Sequence, residues 1–283
     1  MHSRAINTVG LVFAMGVFFH SGSVLGSGHR HSSIETESDR GATGCASLKI
    51  RVGDQGVVRE EQTFTVSGRE SLHLHNPGSG GLRVSGWDGR DFEVTACKAG
   101  RSSSDLSRAV VTISGGKVSL TGVDDEDVVV FFLVKAPKGA TLDLAAVNGP
   151  VSLRDVHGNV ALEVTNGPVS IGGGGGAYKV EVVNGPVTFR PSGTGWEGNG
   201  LDASVVNGPL TLAIPDGFAS GIRVTSPAHS PFLCRAAACQ NLQRTGGERE
   251  RIVEFGSGAP VLRLSTVNGP VSIKDATASA SVH

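Results

Sequence analysis

Apolar and polar positions alternate through most of this chain with a period of two residues. SLKIRV, QTFTVS, SLHLH, GLRVSGW, DFEVTA, AVVTIS and KVSLTG each fit a short strand with one face toward a core and the other toward water. VVVFFLVKAP is apolar on both faces and predicts a fully buried strand that ends at Pro137. After the N-terminal stretch no segment places apolar residues at i, i+3, i+4 and i+7, so negligible helix is expected beyond residue 30. LCRAAACQNL is long enough for one helical turn or a short helix at most.

From about residue 136 the alternation settles into a repeat. The same frame occurs five times: AAVNGPVSL (145–153), EVTNGPVSI (163–171), EVVNGPVTF (181–189), SVVNGPLTL (204–212) and STVNGPVSI (265–273). Asn148, Asn166 and Asn184 are 18 residues apart, Asn207 follows after 23 and Asn268 after 61. With the Asn as position 0, apolar or small residues hold −6, −4, −2, +3 and +5, as in Val160, Leu162, Val164, Val169 and Ile171. Position +4 is always Ser or Thr, and −5 and −3 are polar, charged or Ala. A fixed period near 20 residues predicts units that stack on one another. The expected fold is all-β: a solenoid-like stack of two-strand repeats of about 18 residues, preceded by an N-terminal β region. The alternative is a β-sandwich of repeated hairpins.

The proline favours the solenoid. Asn-Gly between strands commonly makes a two-residue hairpin, but that turn closes through the N–H of the next residue, which Pro lacks. Gly supplies the permissive backbone, and Pro fixes φ on entry to the next strand. In a solenoid the Asn shares the inward parity of −2 and −4. Successive side-chain amides would then stack and satisfy one another inside the core. The plainer alternative is that Asn is simply a good turn residue.

Composition and charge narrow the class. Gly is abundant at 41 residues and aromatics are 5%, which suits turn-rich β structure. The formal net charge of −1 gives no global field toward nucleic acid or an anionic membrane. Arg4 and the apolar run Val9–Phe19 predict an export signal over 1–26 with cleavage before Ser27, too short to span a bilayer. Residues 27–44 read as a flexible linker, 45–135 as the N-terminal β region, 136–276 as the repeat region and 277–283 as a tail. The repeat region carries an insert at 216–258, expected to hold strands at GIRVTS and RIVEF and a protruding loop. An even set of four cysteines in an exported chain suggests disulfides, with Cys45–Cys97 and Cys234–Cys239 the simplest pairing.

The repeated VNGPVSL and TVNGPVSI, with the VKAPKGATLDL lead-in and the upstream VSGWDGRDFEVTA, resemble the bacterial DUF4097 β-strand-repeat family over roughly 65–275. The resemblance implies an exported all-β repeat protein without established enzymatic activity. The adhesin description of that family is itself an inference from architecture. No catalytic or binding residues carry over from it.

Other constellations give no catalytic, cofactor or metal site. Asp124-Asp125-Glu126-Asp127 lacks the spaced oxygen pattern of a calcium loop and reads as a solvated turn. The glycine run 172–176 lacks the Lys and helix of a phosphate loop and reads as a corner or link. His29 and His31 lie in the polar lead-in, and His73 and His75 share a strand face without a third ligand. Trp87 and Trp196 offer sugar-stacking rings or, more simply, covers for the core. Arg235, Arg244, Arg249 and Arg251 make the insert locally basic, offset by Glu248, Glu250 and Glu254.

The expected function is an exported, non-enzymatic β-repeat protein of the bacterial envelope, periplasmic or at the cell surface. Its role is adhesin-like, scaffolding or binding, toward an envelope protein or a surface glycan. One alternative is a polysaccharide-active β-helix enzyme, which needs carboxylates clustered on one face; the −5 column offers Asp143, Ala161, Lys179, Asp202 and Arg263 instead. The other is a protein-binding module that uses the insert.

Overall fold

The computed structural model describes residues 32–36, 44–52, 57–123 and 127–276. The signal segment expected at 1–26, His29, His31, Asp124, Asp125, Glu126 and the tail expected at 277–283 lie outside the described residues.

The N-terminal region holds β1 (Ser32–Thr36), β2 (Leu48–Val52), β3 (Val58–Val66), β4 (Ser71–Ser79), β5 (Leu82–Trp87) and β6 (Phe92–Gly100). A helix α1 (Ser103–Arg108) follows, then β7 (Val110–Ser114), β8 (Lys117–Thr121) and β9 (Val128–Pro137). β1 pairs antiparallel with β2, so the segment read as a flexible linker contains a paired strand. The Cys45–Cys97 disulfide ties the turn before β2 to β6. Cys45, Leu48 and Ile50 pack there on Cys97, Ala99, Val129 and Phe131 as a small second core.

The structure is nearly all β, as expected, with α1 as one short six-residue helix that the alternation did not show. Ser102 Oγ accepts from the Asp105 N–H at 3.2 Å, and the Asp105 carboxylate accepts from the Ser102 N–H at 3.0 Å. This reciprocal cap nucleates one short helix that is too brief to show an apolar period. The 3₁₀ turn Ala237–Asn241 is the single turn expected within LCRAAACQNL.

In the repeat region each Asn-Gly-Pro joins a long strand to a short one. The pairs are β10 (Ala140–Asn148) with β11 (Val151–Arg154), β12 (His157–Asn166) with β13 (Val169–Gly172), β14 (Gly175–Asn184) with β15 (Val187–Arg190), and β16 (Gly200–Asn207) with β17 (Leu210–Ile214). Long strands pair with long and short with short, all parallel and in register: Leu142 opposite Val160, Val160 opposite Tyr178, Tyr178 opposite Leu201. A hairpin would pair each long strand antiparallel with its own short one, so the sandwich alternative is excluded. Residues at −6, −4, −2, +3 and +5 are buried, and all but Thr266 form one continuous hydrophobic core.

The stack extends past the five repeats at both ends. β4 pairs parallel with β10 and β5 with β11, so SLHLH and GLRVS form a rung beneath the first repeat. The insert makes the opposite end: β18 (Ser220–Pro227), β19 (Phe232–Cys234), β20 (Gln243–Gly246) and β21 (Glu250–Phe255). The last repeat, β22 (Ser257–Asn268) with β23 (Val271–Asp275), lies on β16 and β17. β18 and β19 then lie on β22 and β23. The protruding loop expected in 216–258 is therefore a terminal rung. Its FLC strand continues the core, and β21 and β20 close the edge of β18 by antiparallel pairing. The Cys234–Cys239 disulfide bends the 3₁₀ turn back at this end.

Candidate functional site

Two exposed features repeat from rung to rung: the Asn-Gly-Pro corner and the outer face of the long-strand sheet.

At the corner the five asparagines meet. Asn166 Nδ2 donates to Asn148 Oδ1 at 2.9 Å, Asn184 to Asn166 at 2.9 Å, Asn207 to Asn184 at 2.9 Å and Asn268 to Asn207 at 3.0 Å. The amide ladder exists, but it faces solvent, which corrects the inward placement expected from strand parity. The chain starts to turn one residue early, so position 0 is exposed in all five repeats and −1 in four, with Val183, Val206 and Val267 exposed and Val147 half-buried beside the ladder. Gly is required there by contact as well as conformation. Gly167 has φ +141°, and a Cβ built on it would lie 2.1 Å from the Gly149 carbonyl oxygen. Pro costs no hydrogen bond, because the N–H groups that cross to the next rung belong to its neighbours: Gly167 to Asn184 O and Val169 to Pro186 O, each at 2.9 Å.

On the outer face, in-register pairing aligns the −5 residues. His73, Asp143, Ala161, Lys179, Asp202, Arg263 and Arg223 follow one another across the sheet. Small side chains between them, including Ser204, Ser265 and Ala177, leave two adjoining open furrows of about 330 and 700 Å³ that share Lys179, Asp202 and Arg263. Arg263 grips Asp202 through Nε and Nη2, the latter at 2.9 Å. Lys179 Nζ lies 2.7 Å from Glu181 Oε1, and Arg223 pairs with Glu254. The hydrogen bond from Arg263 holds the Asp202 carboxyl below the usual carboxylate range. The Glu181 carboxylate pushes the Lys179 ammonium above its ordinary value. His73 Nδ1 lies 3.0 Å from Asp143 Oδ2 at the far end of the same face.

The remaining candidates are dispersed. The Trp87 indole has Lys135 Nζ 5.2 Å from its centroid, and a Cβ on Gly89 would lie 2.2 Å from the ring. Trp196 meets Tyr178 edge to face at 5.3 Å, and burial pushes the Tyr178 phenol up. Arg244 and Arg251 flank the Phe232 ring at 5.9 and 5.5 Å, and Arg251 also donates to the Ser230 and Ala228 carbonyls. Arg244 and Arg251 thus brace the terminal rung. Asp127 pairs with Arg101 at 2.6 Å. Among the described residues no three His, Cys, Asp or Glu side chains come together as metal ligands. Sequence reading missed the furrow because its Arg223 arrives from a rung that follows Arg263 in space and precedes it in the chain.

No family model matches the sequence, and no curated protein does. Three crystal structures give distant matches. A provisionally named cell adhesion protein from Clostridium sporogenes has a TM-score of 0.41 and 14% identity, covering 77% of this chain and 100% of that one. A provisionally named adhesin from Bacteroides fragilis has a TM-score of 0.26 and 10% identity, covering 77% and 97%. A provisionally named lipid binding protein from Parabacteroides distasonis has a TM-score of 0.28 and 8% identity, covering 76% and 96%. At these scores the likeness is loose.

Proposed function

We propose that this chain is an exported, non-enzymatic binding protein of the bacterial envelope, adhesin-like and of the DUF4097 type. It presents the furrowed face of its long-strand sheet to an envelope protein or a surface glycan. The observation that carries the reading is the state of the charges in that furrow. Arg263 grips Asp202 through Nε and Nη2, Lys179 Nζ lies 2.7 Å from Glu181 Oε1, and Arg223 pairs with Glu254, so the charges lining the furrow are matched in pairs across and along its strands. The result is a firm surface of matched charges and hydroxyls, suited to a polar ligand. The two disulfides fit an oxidising compartment outside the cytoplasm.

The test uses point variants, because residues 216–258 form structural rungs and deleting them would remove the end of the core. The full chain is immobilised and exposed to envelope extract and to a panel of bacterial surface glycans. Ser204→Arg fills the furrow from an exposed position. Capture that drops about tenfold or more in that variant supports the reading, a loss of roughly 1.4 kcal/mol. Capture that is unchanged, or absent in the parent chain, overturns it.

A further inference from the structure

The five Asn-Gly pairs of the ladder share one local sequence, yet the fold treats one of them differently. We infer that Asn268–Gly269 is a self-modifying site at which Asn268 deamidates, while the other four pairs are protected by the neighbouring rung.

The chemistry needs only solvent. The Gly backbone nitrogen gives its proton to a solvent base and attacks Cγ of the preceding Asn. The new N–Cγ bond closes a five-membered succinimide, the Cγ–Nδ2 bond breaks, and the side-chain nitrogen leaves as ammonia. Water then opens the ring to aspartate or isoaspartate. The net change is amide plus water to acid plus ammonia, with no redox step. Gly favours this reaction because no side chain shields its nitrogen.

Two conditions govern the rate here: a free Gly nitrogen and an Asn side chain able to rotate over it. The N–H groups of Gly149, Gly167, Gly185 and Gly208 donate at 2.9 Å to the carbonyls of Asn166, Asn184, Asn207 and Asn268. Asn166, Asn184 and Asn207 are also held at both ends of their amides by the ladder. Asn148 lacks one amide partner, but its Gly149 nitrogen is bonded. Asn268 combines the two openings. Its amide has only the bond to Asn207, and the Gly269 N–H has no acceptor among the described residues. The cause lies in the terminal rung, whose corner runs from Pro227 to Pro231 without an Asn-Gly-Pro. Pairing resumes only at Val271 N–H to Pro231 O, at 2.9 Å. Gly269 is nevertheless required, since a Cβ there would lie 2.0 Å from the Gly208 carbonyl oxygen. The packing that demands glycine therefore maintains the reactive pair.

The product acts on the ladder. Aspartate at 268 has no amide to donate to Asn207 Oδ1 and sets a carboxylate against that oxygen. Isoaspartate adds a backbone atom to a corner whose strands are in register on both sides. Ageing thus starts at the end of the ladder next to the terminal rung.

The test is peptide mapping by mass spectrometry, with fragmentation that separates aspartate from isoaspartate. The disulfide-intact full chain is incubated at mildly alkaline pH and sampled over weeks. A second sample is reduced and kept in denaturant. Asn199–Gly200, outside the ladder, is read separately. In the folded chain Asn268 is expected to convert about tenfold or more faster than Asn166, Asn184 and Asn207, because each of those must first release several hydrogen bonds. Asn148 is expected with the protected group. In denaturant the five should convert at similar rates. Equal rates for Asn268 and Asn184 in the folded chain overturn the inference. So does a preference for Asn268 that persists in denaturant, which would assign it to local sequence.

Discussion

The Asn-Gly-Pro corner keeps one form on five successive rungs, while the corner opposite does not. There the connection is Asp155–Val156 after β11, Gly173–Gly174 after β13, residues 191–199 after β15 and residues 215–256 after β17. The spacing of the repeats records the difference: 18, 18, 23 and 61 residues, with each excess placed at the variable corner. The invariant corner has backbone stacked on backbone with no room for a side chain, so an added residue there would shift every later pairing. The opposite corner is tight at Gly176, where a Cβ would lie 2.0 Å from the Gly158 carbonyl oxygen, and then opens. Once a loop leaves the stack its length costs little, since loop entropy grows only logarithmically. A rigid corner sets register, and a free corner accepts elaboration, including the strands that end the stack.

The largest expected effect separates the two corners directly. Gly185→Ala sets a Cβ 2.1 Å from the Gly167 carbonyl oxygen at φ +141°. It should cost about 3 kcal/mol or more. Gly193→Ala, at φ +68° with open space around it, carries only the left-handed backbone cost of about 1–2 kcal/mol. Denaturant midpoints of the two variants measure this, and equal shifts would break the comparison.

A smaller effect tests the ladder. Because the amides face water, Asn184→Leu frees its neighbours to hydrate and should cost about 1 kcal/mol. A loss well above that, read from the same unfolding curves, would mean that the row is dry and that the corner owes its rigidity to side chains as well as backbone.

The smallest effect concerns the outer face. Arg263→Ala should let the Asp202 pKa return upward toward its ordinary value, followed by NMR titration of the carboxyl carbon. For a carboxylate with a depressed folded pKa, the stabilisation is present above the unfolded pKa and disappears as pH falls through the folded one. The parent chain should therefore exceed the variant by no more than about 1 kcal/mol near neutral pH, as expected of an exposed pair. That gap should close in acid. A gap that persists there would assign the effect of Arg263 to packing.

The sequence by itself determined the strands of the repeats, their stacking and the apolar column, but not the strands β1, β19 and β20. Two-residue alternation decides which side chains face inward, and a proline after Asn-Gly denies a hairpin its closing hydrogen bond. It did not show that SLHLHNPGSGGLRVS is a rung, because Ser79 faces Asn148 only through a bulge that breaks the motif. Nor did it show that the insert ends the stack. That depends on β22 settling between β16 and β18, and β23 between β17 and β19, while following all four in the chain, an order set by which edges find partners. Only the tertiary structure turned the asparagines outward, since strand parity ends where the chain begins to bend. The furrow belongs to the same class, because it arises from residues far apart in sequence that parallel pairing brings within one strand spacing, whereas the Gly269 N–H lacks an acceptor among the described residues because the rung beyond it has no matching corner.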